Sequence, residues 1–151
     1  MTDVIFAPID PATDPHVRIA DNYHLPISTL HSLMLSAQMN SKEVCGLITD
    51  RFDLVYLANI HPEPESNFRM DWNQFRREVE RLIVANESIL GVFHTHPSGS
   101  GRPSAGDIAG WPNRDLRWRY FIATASDVYE WTYVNQPEHK GMGDRRIRES
   151  V

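Results

Sequence analysis

The 151-residue chain has a single cysteine, Cys45, so it cannot form an internal disulfide. That excludes the disulfide-stapled scaffolds of small secreted proteins. It fits a reducing compartment, and a cytoplasmic location is the expectation. No apolar run approaches the roughly 20 residues needed to span a bilayer as a helix. The first fifteen residues, MTDVIFAPIDPATDP, have no basic segment followed by a long apolar core, so they do not read as a secretory signal. Positive charge is not in excess either. The net charge is -5, and bulk electrostatics therefore give no support to a nucleic-acid partner. Internal repeats and low-complexity tracts are missing. What is left is a length and an apolar content that suit one domain around one core.

The chemistry-bearing residues that are present gather in one stretch, HTHPSGSGRPSAGD, from His94 to Asp107. It follows the apolar run Ile89-Leu90-Gly91-Val92-Phe93, which is short, bounded by turn residues, and reads as a buried strand. Residues two apart on a strand share a face, so His94 and His96 are expected to project to one side. Ser104-Ala105-Gly106-Asp107 then opens a helix that runs to about Trp111, with Pro112 ending it. Two imidazoles and one carboxylate make a three-ligand set suited to zinc, with a fourth position left for water.

The remaining elements interleave strands and helices. Residues 1 to 15 read as an irregular leader with one short strand at Val4-Ile5-Phe6, and His16 to Ile19 as an edge strand. Ser28 is placed as the N-cap of a helix in which Leu30, Leu33, Met34 and Ala37 recur at helical spacing, and Asn40-Ser41 ends it. Glu43 to Ile48 and Leu54 to Asn59 read as strands joined by a turn over residues 50–53. After a proline-punctuated polar loop, Phe68-Arg69-Met70 reads as a short strand. Asp71 caps a helix from Trp72 to Asn86, with Phe75, Val79, Leu82 and Ile83 on its apolar face. Tyr120 to Thr124 and Val128 to Val134 read as the last strands, the second alternating strongly. From Gln136 to the end the chain becomes a polar tail. The fold class is α/β, a mixed β-sheet flanked by helices.

The order His94, one residue, His96-Pro97, six residues, Ser104, two residues, Asp107 resembles the motif of the JAMM (MPN+) metalloprotease family. The upstream segment Glu43-Val44-Cys45-Gly46-Leu47-Ile48 is similar to that family's Glu-x-x-Gly-hydrophobic element. The resemblance covers roughly residues 25 to 134, and it places the domain at 16 to 135. It implies a cytidine-deaminase-like fold and a zinc peptidase that acts on peptide or isopeptide bonds. Its ligands would be His94, His96 and Asp107. Glu43 would hold the zinc-bound water and shuttle its proton to the leaving amine, and Ser104 would donate to the developing oxyanion. The substrate implied is a protein, either ubiquitin-like or a sulfur carrier, cleaved after its C-terminal Gly-Gly. No nucleic acid or membrane is expected to take part.

The rival readings are weighed on the same residues. A non-catalytic MPN scaffold would lack the ligand set that this chain carries. A phage tail-assembly peptidase would share the motif. A zinc deaminase needs a Pro-Cys-x-x-Cys element that one cysteine cannot supply. A DNA-repair-associated relative is disfavoured by the acidic balance. Cys45 is read as core packing and not as a nucleophile. His24, His31, His61 and His139 have no ligand-spaced partners. The Gly99-Ser100-Gly101 run lacks the lysine of a phosphate loop and is read as a flexible part of the ligand loop. Trp72, Trp118 and Trp131 are assigned to the core, and Trp111 to the substrate groove.

Overall fold

The computed structural model describes residues 17–19, 24–110 and 118–133. The short strand expected at Val4-Ile5-Phe6, the placements of Trp111, Pro112 and His139, and the tail from Gln136 lie outside these residues.

One six-stranded sheet organises the described residues, in the order β1-β6-β5-β4-β2-β3. Its strands are β1 (Val17–Ile19), β2 (Cys45–Thr49), β3 (Leu54–Leu57), β4 (Ile89–Thr95), β5 (Arg119–Ala123) and β6 (Val128–Tyr133). The helices are α1 (Ile27–Met39), α2 (Trp72–Val84) and α3 (Ala105–Gly110). The β4–β5 ladder is parallel and the other ladders are antiparallel, so the sheet is mixed, as the interleaved pattern implies.

The alternation of side chains along the strands splits the core into two layers. Leu33 of α1 packs with Ile48, Phe93, Phe121, Ala123 and Val128 on one face. On the other face Cys45, Leu47, Val92, Tyr120, Ile122 and Trp131 form a cluster, with Phe75 of α2 and Ile108 of α3 packed against it. Burying both faces is why β2, β5 and β6 carry so few exposed residues. Val128 through Thr132 are all buried, although the strand alternates in sequence. The polar side of that alternation is accommodated by Glu130, whose carboxylate accepts two hydrogen bonds of 2.9 Å from the Arg119 guanidinium.

Local chemistry explains most boundaries and corrects some. Asp71 caps α2 as expected, its Oδ1 accepting from the Asn73 and Gln74 amides at 3.0 and 3.3 Å. That helix ends at Val84, where Asn86 takes up a left-handed conformation at φ 59. Helix α1 is not capped by Ser28. Pro26 is its N-cap, with no side-chain cap; its fixed φ leads into the helix, and its carbonyl accepts from the Leu30 N–H at 3.0 Å. Ile83 is 68% exposed and Trp72 54% exposed, so neither belongs to the core. Strand β3 stops at Leu57, and the strand expected at Phe68-Arg69-Met70 is reduced to one bridge between Asn59 and Met70. Among the described residues no helix is long and apolar enough to cross a membrane.

Candidate metal centre

The site lies where β4 ends, on the face of the sheet that α2 and α3 cover. His94 is the penultimate residue of β4, and Cys45 of β2 is its cross-strand partner. The ladder continues past β2, because Thr95 N–H donates to the Val44 carbonyl and Val44 N–H to Thr95 Oγ1. Following the antiparallel register two residues further sets Glu43 opposite His96. Glu43, Cys45 and Leu47 therefore share the face of Val92, His94 and His96. The sequence reading began β2 at Glu43; the strand begins at Cys45. The glycine of the Glu-x-x-Gly element has a steric cause. A Cβ on Gly46 would overlap the Val55 carbonyl and the Phe93 ring.

His96 lies just beyond β4 and is tied down by its N–H, which donates to the Ala123 carbonyl of β5 at 2.9 Å. Ser104 and Asp107 form a reciprocal cap at the start of α3. Ser104 Oγ accepts from the Asp107 N–H at 3.0 Å, and Asp107 Oδ2 accepts from the Ser104 N–H at 2.9 Å. This fixes the Asp107 carboxylate toward the imidazoles. Asp107 Oδ2, His94 Nε2 and His96 Nε2 form a triangle with each edge at 3.1 Å. Glu43 joins them, and one ligand atom from each of the four residues lies within 4.8 Å of all the others.

Hydrogen bonding shows what this cluster asks for. His96 Nδ1 is 2.7 Å from the Ser100 carbonyl, an acceptor, so Nδ1 carries the proton and Nε2 presents a lone pair. That lone pair faces a carboxylate oxygen and a second imidazole nitrogen. Three such donors converging on one point suit a cation. Tetrahedral zinc with ligands at about 2.0–2.1 Å spaces them about 3.3 Å apart, close to the triangle observed. The buried Glu43 Oε1 has no hydrogen-bond partner among the described residues. An acceptor in that position suits a water bound at the same point.

The electrostatics agree. Burial drives the Glu43 carboxyl up to about 7, with His96 pulling it down and Asp107 adding to the rise. Burial also pushes His94 below its ordinary value, against the pull of Asp107. For His96 burial acts downward, but the Asp107 hydrogen bond and the Ser100 carbonyl outweigh it and leave the imidazole raised. Asp107 is buried, which acts upward, yet hydrogen bonds from both imidazoles and the Ser104 amide hold it well below the usual carboxylate range. Cys45, two residues from Glu43, is fully buried, and burial pushes its thiol up to about 12. It is inert packing, as expected.

Five supporting residues carried no motif. Phe68 stacks on His94, with centroids 4.2 Å apart. Ser100 sets the His96 tautomer through its main chain. Trp131, assigned to the core, also donates from Nε1 to the Gly101 carbonyl at 2.8 Å and anchors the ligand loop. A Cβ on Gly101 would overlap the Tyr129 ring. That glycine is there for close approach and not for the flexibility expected of it. The fifth is Asn59, whose only sequence signal is an asparagine between a strand and a His-Pro turn.

Comparison with known proteins agrees with this geometry. The model of a family described as prokaryotic homologs of the JAB domain matches residues 26–135. A probable TtuB-protein conjugate cleaving protease from Thermus thermophilus is 31% identical over 81 residues, covering 52% of this chain and 51% of that protein. The chain thus spans about half the length of that relative. A desampylase from Haloferax volcanii is 28% identical over 101 residues, covering 60% of this chain and 70% of the relative. The solution structure of a protein from Desulfitobacterium hafniense shares the fold, with a TM-score of 0.60 at 24% identity over 76% of this chain and 86% of that one.

Proposed function

This chain belongs to the family of prokaryotic homologs of the JAB domain, and on that premise we propose that it is a zinc-dependent isopeptidase that releases a ubiquitin-like or sulfur-carrier protein from an amine at its C-terminal Gly-Gly. One observation carries the reading: two imidazole nitrogens and a carboxylate oxygen converge on a point beside a buried, unpartnered glutamate oxygen. The names of the two relatives support it, since one is called a conjugate-cleaving protease and the other a desampylase.

His94, His96 and Asp107 would hold the metal. Zinc held there would supply hydroxide near neutral pH, by lowering the pKa of water to about 7, and would polarise the scissile carbonyl. The chain's own groups do the rest. Glu43, buried beside the metal point with one carboxylate oxygen unpartnered among the described residues, is placed to take a proton and hand it to the departing amine. Ser104 Oγ already accepts from the Asp107 amide, so its hydroxyl proton is directed elsewhere and serves the developing oxyanion. The sulfhydryl of Cys45 has no part. Glycines at the scissile end suit the site because a backbone without Cβ atoms comes closest to a recessed metal.

The test is cleavage by zinc-loaded protein of ubiquitin-like and sulfur-carrier proteins with an amine-linked residue after Gly-Gly, beside an unrelated peptide. Glu43→Gln should keep zinc in equimolar amount and lose turnover by about 10²–10⁴-fold. A Glu43→Gln protein with near-normal rate would assign the proton transfer to another group.

A further inference from the structure

Asn59 stands just past β3, and its side-chain amide uses all of its hydrogen-bonding capacity. Nδ2 donates to the Glu43 carbonyl at 2.8 Å and to the Asn67 carbonyl at 3.0 Å. Oδ1 accepts from the His61 and Arg69 amides, each at 3.0 Å. The four partners come from both ends of the 60–69 loop and from the residue proposed as the proton carrier. The same loop reaches Glu43 again, because the Glu43 N–H donates to the Pro64 carbonyl at 2.7 Å. Phe68, near the loop's far end, stacks on His94.

Glu43 precedes β2, so the sheet alone does not hold it. Its carbonyl is taken by Asn59 and its amide by the loop. On the reading of Glu43 given above, we propose that Asn59 is a positioning residue for the hydrolysis: it locks the Glu43 main chain to the 60–69 loop and so aims the carboxylate at the metal point. Its four hydrogen bonds go to main-chain groups and to none of the ligand side chains. The inference concerns turnover and not metal affinity, since His94, His96 and Asp107 are held by β4, β5 and the α3 cap.

Asn59→Asp tests this with little change in shape. The aspartate keeps an acceptor for the His61 and Arg69 amides, and it sets an oxygen against the carbonyls of Glu43 and Asn67. The expected result is equimolar zinc, a KM within a few-fold of the parent and a kcat lower by about a hundredfold. Crystal structures of the zinc-loaded parent and variant should show the Glu43 carboxylate displaced and the three ligands in place. Asn59→Ser, which removes the bonds without repulsion, should show the same split and covers the case in which the aspartate variant fails to fold. Leu33→Ala, in the opposite core layer, controls for lost stability: it should lower Tm and leave kcat at 25 °C unchanged. Full kcat in both Asn59 variants with Glu43 unmoved would overturn the proposal. If the parent cleaves no member of the substrate panel, the isopeptidase reading fails by itself, and the two structures still decide whether Asn59 places Glu43.

Discussion

Glu43 is the residue whose environment departs furthest from its chemistry. Its carboxyl is buried, lifted to about 7, and left with one oxygen unpartnered among the described residues. An acid whose pKa is raised on folding keeps a proton that the unfolded chain gives up. Stability therefore falls as pH rises from the unfolded value of 4.5 to about 7, and is flat above. Glutamine imitates the protonated form. In metal-free protein Glu43→Gln should match the parent in Tm near pH 4 and exceed it by on the order of 5 °C above pH 7. Calorimetry in chelator across that range checks this. A Tm gap that does not change with pH would mean that the carboxyl is solvated and not buried. The structure brings together Glu43, His94, His96 and Asp107, residues that the motif resemblance singles out in the sequence. Asn59 is not legible there, since four hydrogen bonds to main-chain groups leave no periodic trace.

At the scale of elements, the ligand loop between β4 and α3 behaves as a clamp. The Ser100 carbonyl orients His96, and the Gly101 carbonyl is held by Trp131. Gly101→Ala forces a methyl group into the Tyr129 ring. Overpacking of this kind typically costs about 1–3 kcal/mol. The shift reaches the neighbouring Ser100 carbonyl, and zinc affinity should fall by about 10–100-fold, as for other losses of a partner that orients a metal-bound histidine. Competition against a chromophoric chelator reads this directly, and unchanged affinity would separate the loop from the metal. Sequence pattern located the elements better than their ends. Helix α2 stops short because Asn86 adopts a left-handed turn, and β3 gives way to the Asn59 network. The alternation along β6 does not give a wet face, because Val128 through Thr132 are all buried and an ion pair lies on its polar side.

At the scale of the whole molecule, that ion pair is a charged contact sunk in the core layer beneath α1. Arg119 and Glu130 are 4% and 1% exposed, and the guanidinium also lies 5.2 Å from the centre of the Phe121 ring. Removing one partner of such a pair typically costs about 3–5 kcal/mol, whereas replacing both with apolar residues is often neutral. Arg119→Leu should therefore lower Tm sharply. Arg119→Leu combined with Glu130→Leu should recover much of the loss. Thermal melts of the two proteins, both loaded with zinc, test it. Equal losses would mean that the carboxylate, and not the pairing, is what this strand needs.

The topology also separates the parts of the site in time. His94, His96 and Asp107 lie within one strand, loop and helix start, so a chain that has closed this short segment already presents all three metal donors. Glu43 comes from before β2 and reaches them only when β2 pairs with β4 and the 60–69 loop closes over it. Long-range pairing of that kind is the slow part of folding. On the proposed reading, a chain in which only that segment has closed would offer the metal donors without the glutamate.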